Sequence, residues 1–220
     1  MEKIIIIGAS DQSRHTIDII EKELKYQIVG VLDKKLSPGQ VFEGYDILGY
    51  IPEIASLFSE KKISGGIIAI GDNFTRMKVA KEILELVPDF KFITTIHPSA
   101  IIGKNVFIGA GSIIMEAVII NNNSIIGDHC NIWTKTSIDH DSEIMNYSSC
   151  SPGVTTGGRV IIGECTLIGI GANILHYKNV GNHCVIGGGS LINKDIPDFS
   201  VAFGVPAKVI RTRNPGDSYL

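Results

Sequence analysis

Disulfide frameworks, metal knuckles, membrane spans and basic patches are all missing from this chain of 220 residues. Its four cysteines, Cys130, Cys150, Cys165 and Cys184, follow neither a metal-ligand nor a disulfide spacing. No run of eighteen apolar residues occurs, so no transmembrane helix is expected. Twenty basic residues face 23 acidic ones, for a net charge of −3, and no lysine- or arginine-dense block stands out. A nucleic-acid partner is therefore not expected. The apolar start after Met1 ends at Gly8, too short for a secretory leader. These absences lead to the expectation of a soluble, cytoplasmic protein.

What the chain does have is a period. Counting in sixes from Ile102 to Ile192, every position is isoleucine except Cys150, Thr156 and Val180. Four residues after each of these sits a second set, from Val106 to Ser190, in which all but Lys178 are small or β-branched. A period of six matches neither the 3.6 of an amphipathic helix nor the 2 of a half-buried strand. It predicts a parallel β-helix of hexapeptides, three to a triangular coil, so that residues eighteen apart stack at about 4.8 Å. Glycines that follow the apolar residue, such as Gly103, Gly127 and Gly163, tolerate the backbone at the corners. By this count Cys130, Cys150 and Cys184 point inward as small hydrophobes.

The first ninety-six residues read differently. Apolar strands are expected at 3–8, 27–33, 66–71 and 90–96, with helices at 13–25, near 52–60 and at 73–87, and a loop between Asp33 and the second helix. Ile17, Ile20 and Leu24 mark the apolar face of the first helix. Alternating strands and helices predict a small parallel, Rossmann-like α/β domain over 1–96, with the coils and a tail filling 97–213. Ligands of such sheets sit at the carboxyl ends of the strands. There the loop Gly8–Ser13 enters a helix N-terminus suited to phosphate, and Asp33-Lys34 and Gly71 close two further strands on the same edge.

Two segments carry a resemblance: Ser137–Ser142, which reads Ser-Ile-Asp-His-Asp-Ser, and Phe203–Lys208, which reads Phe-Gly-Val-Pro-Ala-Lys. A small α/β domain, hexapeptide coils and these segments together resemble the sugar N- and O-acetyltransferases of the NeuD/PglD type. The resemblance implies a left-handed β-helix, a homotrimer, acetyl-CoA as co-substrate and no metal. It also implies N-acetylation of a UDP- or dTDP-linked 4-amino-4,6-dideoxy sugar by direct transfer, for surface glycan biosynthesis. On the matching positions it implies His140 as general base with Asp141 as its acid. Acetyl-CoA contacts fall on Ser149, Ile170 and Gly188, and nucleotide-sugar contacts on Ser10, Asp11, Gln12, Asp33, Lys34 and Gly71. The first loop departs from the family in carrying Asp11-Gln12 where some relatives have Gly-His.

The residues themselves support this chemistry. His140 lies two positions past the inward Ile138, so its ring projects outward, and imidazole is the side chain best matched to taking a proton near neutral pH. Asp139 and Asp141 flank it, and spacing alone leaves either as its partner. Gly158, eighteen residues on, would let a backbone N–H approach a thioester oxygen. His176 stacks two coils above His140, roughly 10 Å away, too far to share a metal. His129 and His183 fall at bends expected to be exposed, and no histidine pair has the spacing of a hexapeptide-fold zinc carbonic anhydrase. Alternative readings are a sialic-acid-type O-acetyltransferase and, from another class, a non-catalytic nucleotide-sugar scaffold. Outward-facing Ile101, Phe107, Ile113, Ile119, Ile125, Ile161, Leu167, Val185 and Leu191 add an expected subunit interface.

Overall fold

The computed structural model describes residues 1–60 and 63–219. The chain forms two compact units that divide between Pro98 and Ser99.

In the first unit, four consecutive isoleucines, Ile4–Ile7, are fully buried, which is the signature of a central strand covered on both faces. That strand is β1 (Glu2–Ile7), and it leads into α1 (Asp11–Glu23) and β2 (Tyr26–Leu32). Next come a short hairpin of β3 (Val41–Phe42) and β4 (Tyr45–Gly49), α2 (Ile54–Glu60), β5 (Gly65–Ile68) and α3 (Asn73–Leu86). Two short strands follow, β6 (Lys91–Phe92) and β7 (Thr95–Ile96). The sheet runs β3-β4-β2-β1-β5-β6 and is parallel except within the hairpin. Isoleucines Ile17 and Ile20 bury the inner face of α1, whereas Leu24 lies just past the helix in the left-handed conformation and is exposed.

Two expectations for this unit are corrected. The predicted loop after Asp33 contains β4, whose Ile47 pairs with Val31 of β2 and is buried. Only five residues long and with one deeply buried apolar side chain, β4 gives little period-two signal. The strand expected over 90–96 is two strands, β6 and β7.

The second unit is a stack of two-residue strands in which each residue pairs with the one eighteen positions on, as in Ile113↔Asn131, Ile119↔Ser137 and Ile125↔Glu143. From Ile114 to Ile192 the inward series is essentially inaccessible to solvent. Ile102 and Ile108 lie in the first turn of the stack and stay partly open. The last turn is two residues shorter, pairing Val185 with Val201 and Val180 with Ile196. A hairpin of Ser200–Gly204 and Ala207–Thr212 follows.

The small residues of the second series do more than leave space. Ser112 Oγ donates to the Gly127 carbonyl at 2.7 Å and accepts from the Cys130 N–H at 2.9 Å. Ser148 repeats this with Gly163 and Thr166, and Thr166 with Gly181 and Cys184. Each hydroxyl thereby satisfies a buried amide one coil above, where an unpaired donor would cost about 1–3 kcal/mol. The requirement at this position is thus for a small polar or apolar group, and serine and threonine supply the corner bond.

The three faces differ outside. Ile113, Asn131, Ser149 and Val185, stacked on one face, are all buried within the chain. Ile113 and Val185 therefore drop out of the expected interface. On the face paired through Phe107, Ile125, Glu143 and Ile161, the three apolar residues stay 60%, 44% and 41% exposed. Ile101, at the start of the remaining face, is also exposed.

Candidate active site

The corner that follows Ile138 carries three consecutive charged or ionisable residues, Asp139, His140 and Asp141. Asp141 adopts a left-handed backbone at φ +55°, which turns its carboxylate back toward the preceding ring. His140 Nδ1 lies 2.7 Å from Asp141 Oδ2. Asp139 serves the backbone instead, accepting from the His140 N–H at 2.8 Å and from Asn121 Nδ2 at 2.9 Å. The choice that spacing left open is made by this geometry: Asp141 holds the ring.

Asp141 is itself held in a ladder of residues eighteen apart. Asn105 Nδ2 donates to Asn123 Oδ1, and Asn123 Nδ2 donates to Asp141 Oδ1, both at 3.1 Å. Arg159 Nε lies 3.6 Å from Asp141 Oδ2, and its Nη1 donates to the Tyr177 hydroxyl at 2.9 Å. The His140 hydrogen bond, then that of Asn123, keeps the Asp141 carboxyl below the usual aspartate range. Asn121 and the His140 N–H do the same for Asp139. An ionised carboxylate only accepts, so the hydrogen between His140 and Asp141 belongs to Nδ1. In the neutral ring the lone pair then falls on Nε2, and the His140 side chain is 52% exposed.

Gly158 lies directly over that nitrogen. A Cβ at position 158 would stand 2.6 Å from Nε2 and 2.7 Å from Cε1 of His140. The reason for glycine here is thus room for the imidazole. His176 packs edge-on against Tyr177. Among the described residues no group of three His, Cys, Asp or Glu side chains could hold a metal ion.

Of the three positions implied to contact acetyl-CoA, Ile170 and Gly188 come together at one corner, with Ile170 67% exposed and the Gly189 N–H bonded to its carbonyl. Ser149, on the covered face, is 1% exposed. His129, expected at an exposed bend, is 4% exposed and stacks on Tyr147 with ring centroids 5.1 Å apart. His183 stacks likewise on Phe199, and burial lowers its pKa. The missed signal was the recurrence of an aromatic ring at the same corner one coil later.

The other grouping lies at the carboxyl edge of the N-terminal sheet, where a cavity of about 440 Å³ is lined by Ser10, Lys34 and Gly71 among others. Ser13 shapes its floor, donating to the Gly8 carbonyl at 2.6 Å and accepting from the Ser10 N–H at 3.1 Å. Asp33 ties the neighbouring loops together, accepting from the N–H groups of Ala9, Lys35 and Leu36. Asp11 turns to solvent against Arg14 and does not line the cavity. Gln12 is 4% exposed, its amide unpartnered among the described residues, with Oε1 close to Gly71. Sequence reasoning missed the walls of this cavity, which are Tyr50, Ile51 and Pro52 after β4 and Thr75, Val79 and Glu82 of α3.

Comparison with known proteins agrees with both halves. Residues 3–83 match the PglD N-terminal domain family, and residues 99–132 match the bacterial transferase hexapeptide family of six repeats. A GDP-perosamine N-acetyltransferase of Escherichia coli O157:H7 is 30% identical over 177 residues, covering 77% of this chain and 76% of that protein. PerB of Caulobacter crescentus, solved in complex with CoA and GDP-perosamine, superposes with a TM-score of 0.89 at 28% identity over 96% of this chain and 98% of PerB. The acetyltransferase domain of PglB from Neisseria gonorrhoeae FA1090, in complex with acetyl coenzyme A, gives 0.87 at 29% identity over 95% and 99%.

Fold, corner geometry and relatives together define an acyltransferase built on a left-handed β-helix of hexapeptides. The chain belongs to the NeuD/PglD-type family of sugar acetyltransferases.

Proposed function

We propose that this enzyme transfers the acetyl group of acetyl-CoA directly to the amine of a nucleotide-linked 4-amino-4,6-dideoxy sugar, with His140 as general base. The observation that carries this is the Nδ1–Asp141 bond, which leaves Nε2 as a proton acceptor on an accessible ring. The amine lone pair attacks the thioester carbonyl carbon, and the new C–N bond leaves a surplus proton on nitrogen. Nε2 takes that proton, and Asp141 stabilises the imidazolium that results. The C–S bond then breaks, and the CoA sulfur leaves with the proton returned by the ring. Contacts at Ile170 and Gly188 hold acetyl-CoA, while Ser149, buried in the single chain, shapes that face from beneath.

The acceptor's nucleotide occupies the cavity beside Ser10, Lys34 and Gly71, with Asp33 tying the loops around it and the buried Gln12 close to Gly71. Asp11, at the first position of α1, adds charge at the rim. UDP and dTDP are the carriers the family resemblance implies, and GDP is the carrier in the perosamine relatives. The working unit is a homotrimer, supported by the exposed Phe107, Ile125 and Ile161, and it acts in the cytoplasm in surface glycan assembly.

An assay that follows free thiol while acetyl-CoA is offered with GDP-, UDP- and dTDP-linked 4-amino sugars tests this reading. One of the nucleotide amines is expected to be acetylated on nitrogen. Turnover with free sialic acid alone would defeat the proposal.

A further inference from the structure

The cavity of the N-terminal unit combines polar and apolar walls. Gly8 and Ser10 at the start of α1, with Lys34 and Lys35, supply amides and positive charge where a diphosphate would sit. The rest of the lining includes Leu32, Tyr50, Ile51, Pro52 and Val79, an apolar and aromatic set of the kind that holds a nucleobase. Glu82 lines the same cavity from α3. It shares a face of α3 with Thr75 and Val79, and the seven residues from Thr75 place it about 10 Å further along the helix axis.

The cavity has two aspartate or glutamate side chains in its lining, Asp33 and Glu82. Asp33 already accepts three backbone N–H groups. The Glu82 side chain has no ion pair or hydrogen bond among the described residues, although lysines precede it at positions 78 and 81. A carboxylate offers two adjacent acceptors and no donor. Near a diphosphate it would repel; beside a base it discriminates.

From this geometry we infer that Glu82 reads the base of the nucleotide sugar and selects guanine. The inference rests on the nucleotide-sugar reading above. Guanine is the common base with two neighbouring donors, N1–H and the exocyclic N2 amine, and they meet the two oxygens of one carboxylate in a bidentate pair. Uracil and thymine offer a single N3–H between two carbonyls, so one carboxylate oxygen would face a carbonyl oxygen. Adenine sets an acceptor beside its amine. Hypoxanthine keeps N1–H but lacks the amine, which isolates the second bond.

Calorimetric titration of the full-length protein with GDP, IDP, UDP and dTDP tests this. GDP should bind about tenfold or more tighter than IDP, the worth of one hydrogen bond to a charged group, and by a wider margin than UDP or dTDP. In Glu82→Gln the side chain has one acceptor and one donor, which suit N3–H beside a carbonyl. The GDP preference should collapse, with UDP, dTDP and IDP gaining relative to GDP. Glutamine matches glutamate in size and helix propensity, and α3 carries this residue at its exposed surface, so the variant should fold. Equal binding of all four nucleotides by the unmodified protein, or an unchanged preference in Glu82→Gln, would overturn the role of Glu82 and leave the nucleotide cleft standing. Failure of every nucleotide to bind would overturn both.

Discussion

Gly158, one coil above His140, leaves no space for even a methyl group, since a Cβ there would meet Nε2 at 2.6 Å. A contact under 3 Å must displace the ring, and the ring is anchored at its other nitrogen by Asp141. Position 158 therefore sets where Nε2 of His140 points. Gly111 shows the same arrangement under His129, where an added Cβ would lie 2.3 Å from Nδ1. His140 and His129 thus each lie against a glycine eighteen residues away.

His140→Ala should lower the rate by about two orders of magnitude or more, the range for a lost general base. Gly158→Ala should approach the same loss while acetyl-CoA binding persists. The double variant should be no slower than His140→Ala alone, because the methyl group then has no ring to push. Additive losses in steady-state kinetics would mean that Gly158 acts independently of His140.

The two carboxylates should separate by function. Asp141→Asn should cost activity by about tenfold or more, since it removes the acceptor that fixes the ring hydrogen on Nδ1, and Asp139→Asn should cost less. Both also bear on acid stability. A carboxyl whose pKa in the folded state lies below its unfolded value of about 3.9 stabilises the fold above that pH, and the contribution fades as pH falls through the folded value. Both carboxyls are depressed in this way. Urea melts at pH 5 and pH 3 should therefore show a smaller loss of stability for the Asp139→Asn/Asp141→Asn variant than for the unmodified protein. A loss of equal size would show that the two carboxyls are not depressed by folding.

Subunit association should depend on the exposed apolar stripe. Light scattering at micromolar concentration is expected to give three times the chain mass of 23.8 kDa. Phe107→Asp together with Ile125→Asp should yield monomers, whereas a charge at the buried Ile113 should unfold the chain instead. A monomeric unmodified protein would exclude the trimer.

The β-helix was legible because its information is local and repeated. Each hexapeptide carries its own corner, and a mistake at Thr156 or Lys178 is outvoted by the other turns. Outward projection of His140 followed from counting two residues past Ile138, and stacking of Gly158 upon it from adding eighteen. The conformation at a corner was not legible. Asp141, rather than Asp139, reaches the ring from a left-handed backbone that recurs every sixth residue, as at Asn105 and Asn123, and which carboxylate turns to the ring is fixed only in the folded corner.

In the N-terminal unit the chain order of strands and helices was readable, but the cavity was not. Its walls come from Tyr50, which follows a strand too short to signal itself, and from Val79 and Glu82, whose common face of α3 meets the cavity only once that helix lies against the sheet. Burial likewise escaped pattern: Ile113 and Ile125 occupy the same position in the hexapeptide, yet one is covered and the other open. Period and residue size determine which side of a strand a side chain takes. Which outward side is then covered, and which distant residues line a common cavity, depends on contacts between segments far apart in sequence, and those exist only in the folded chain.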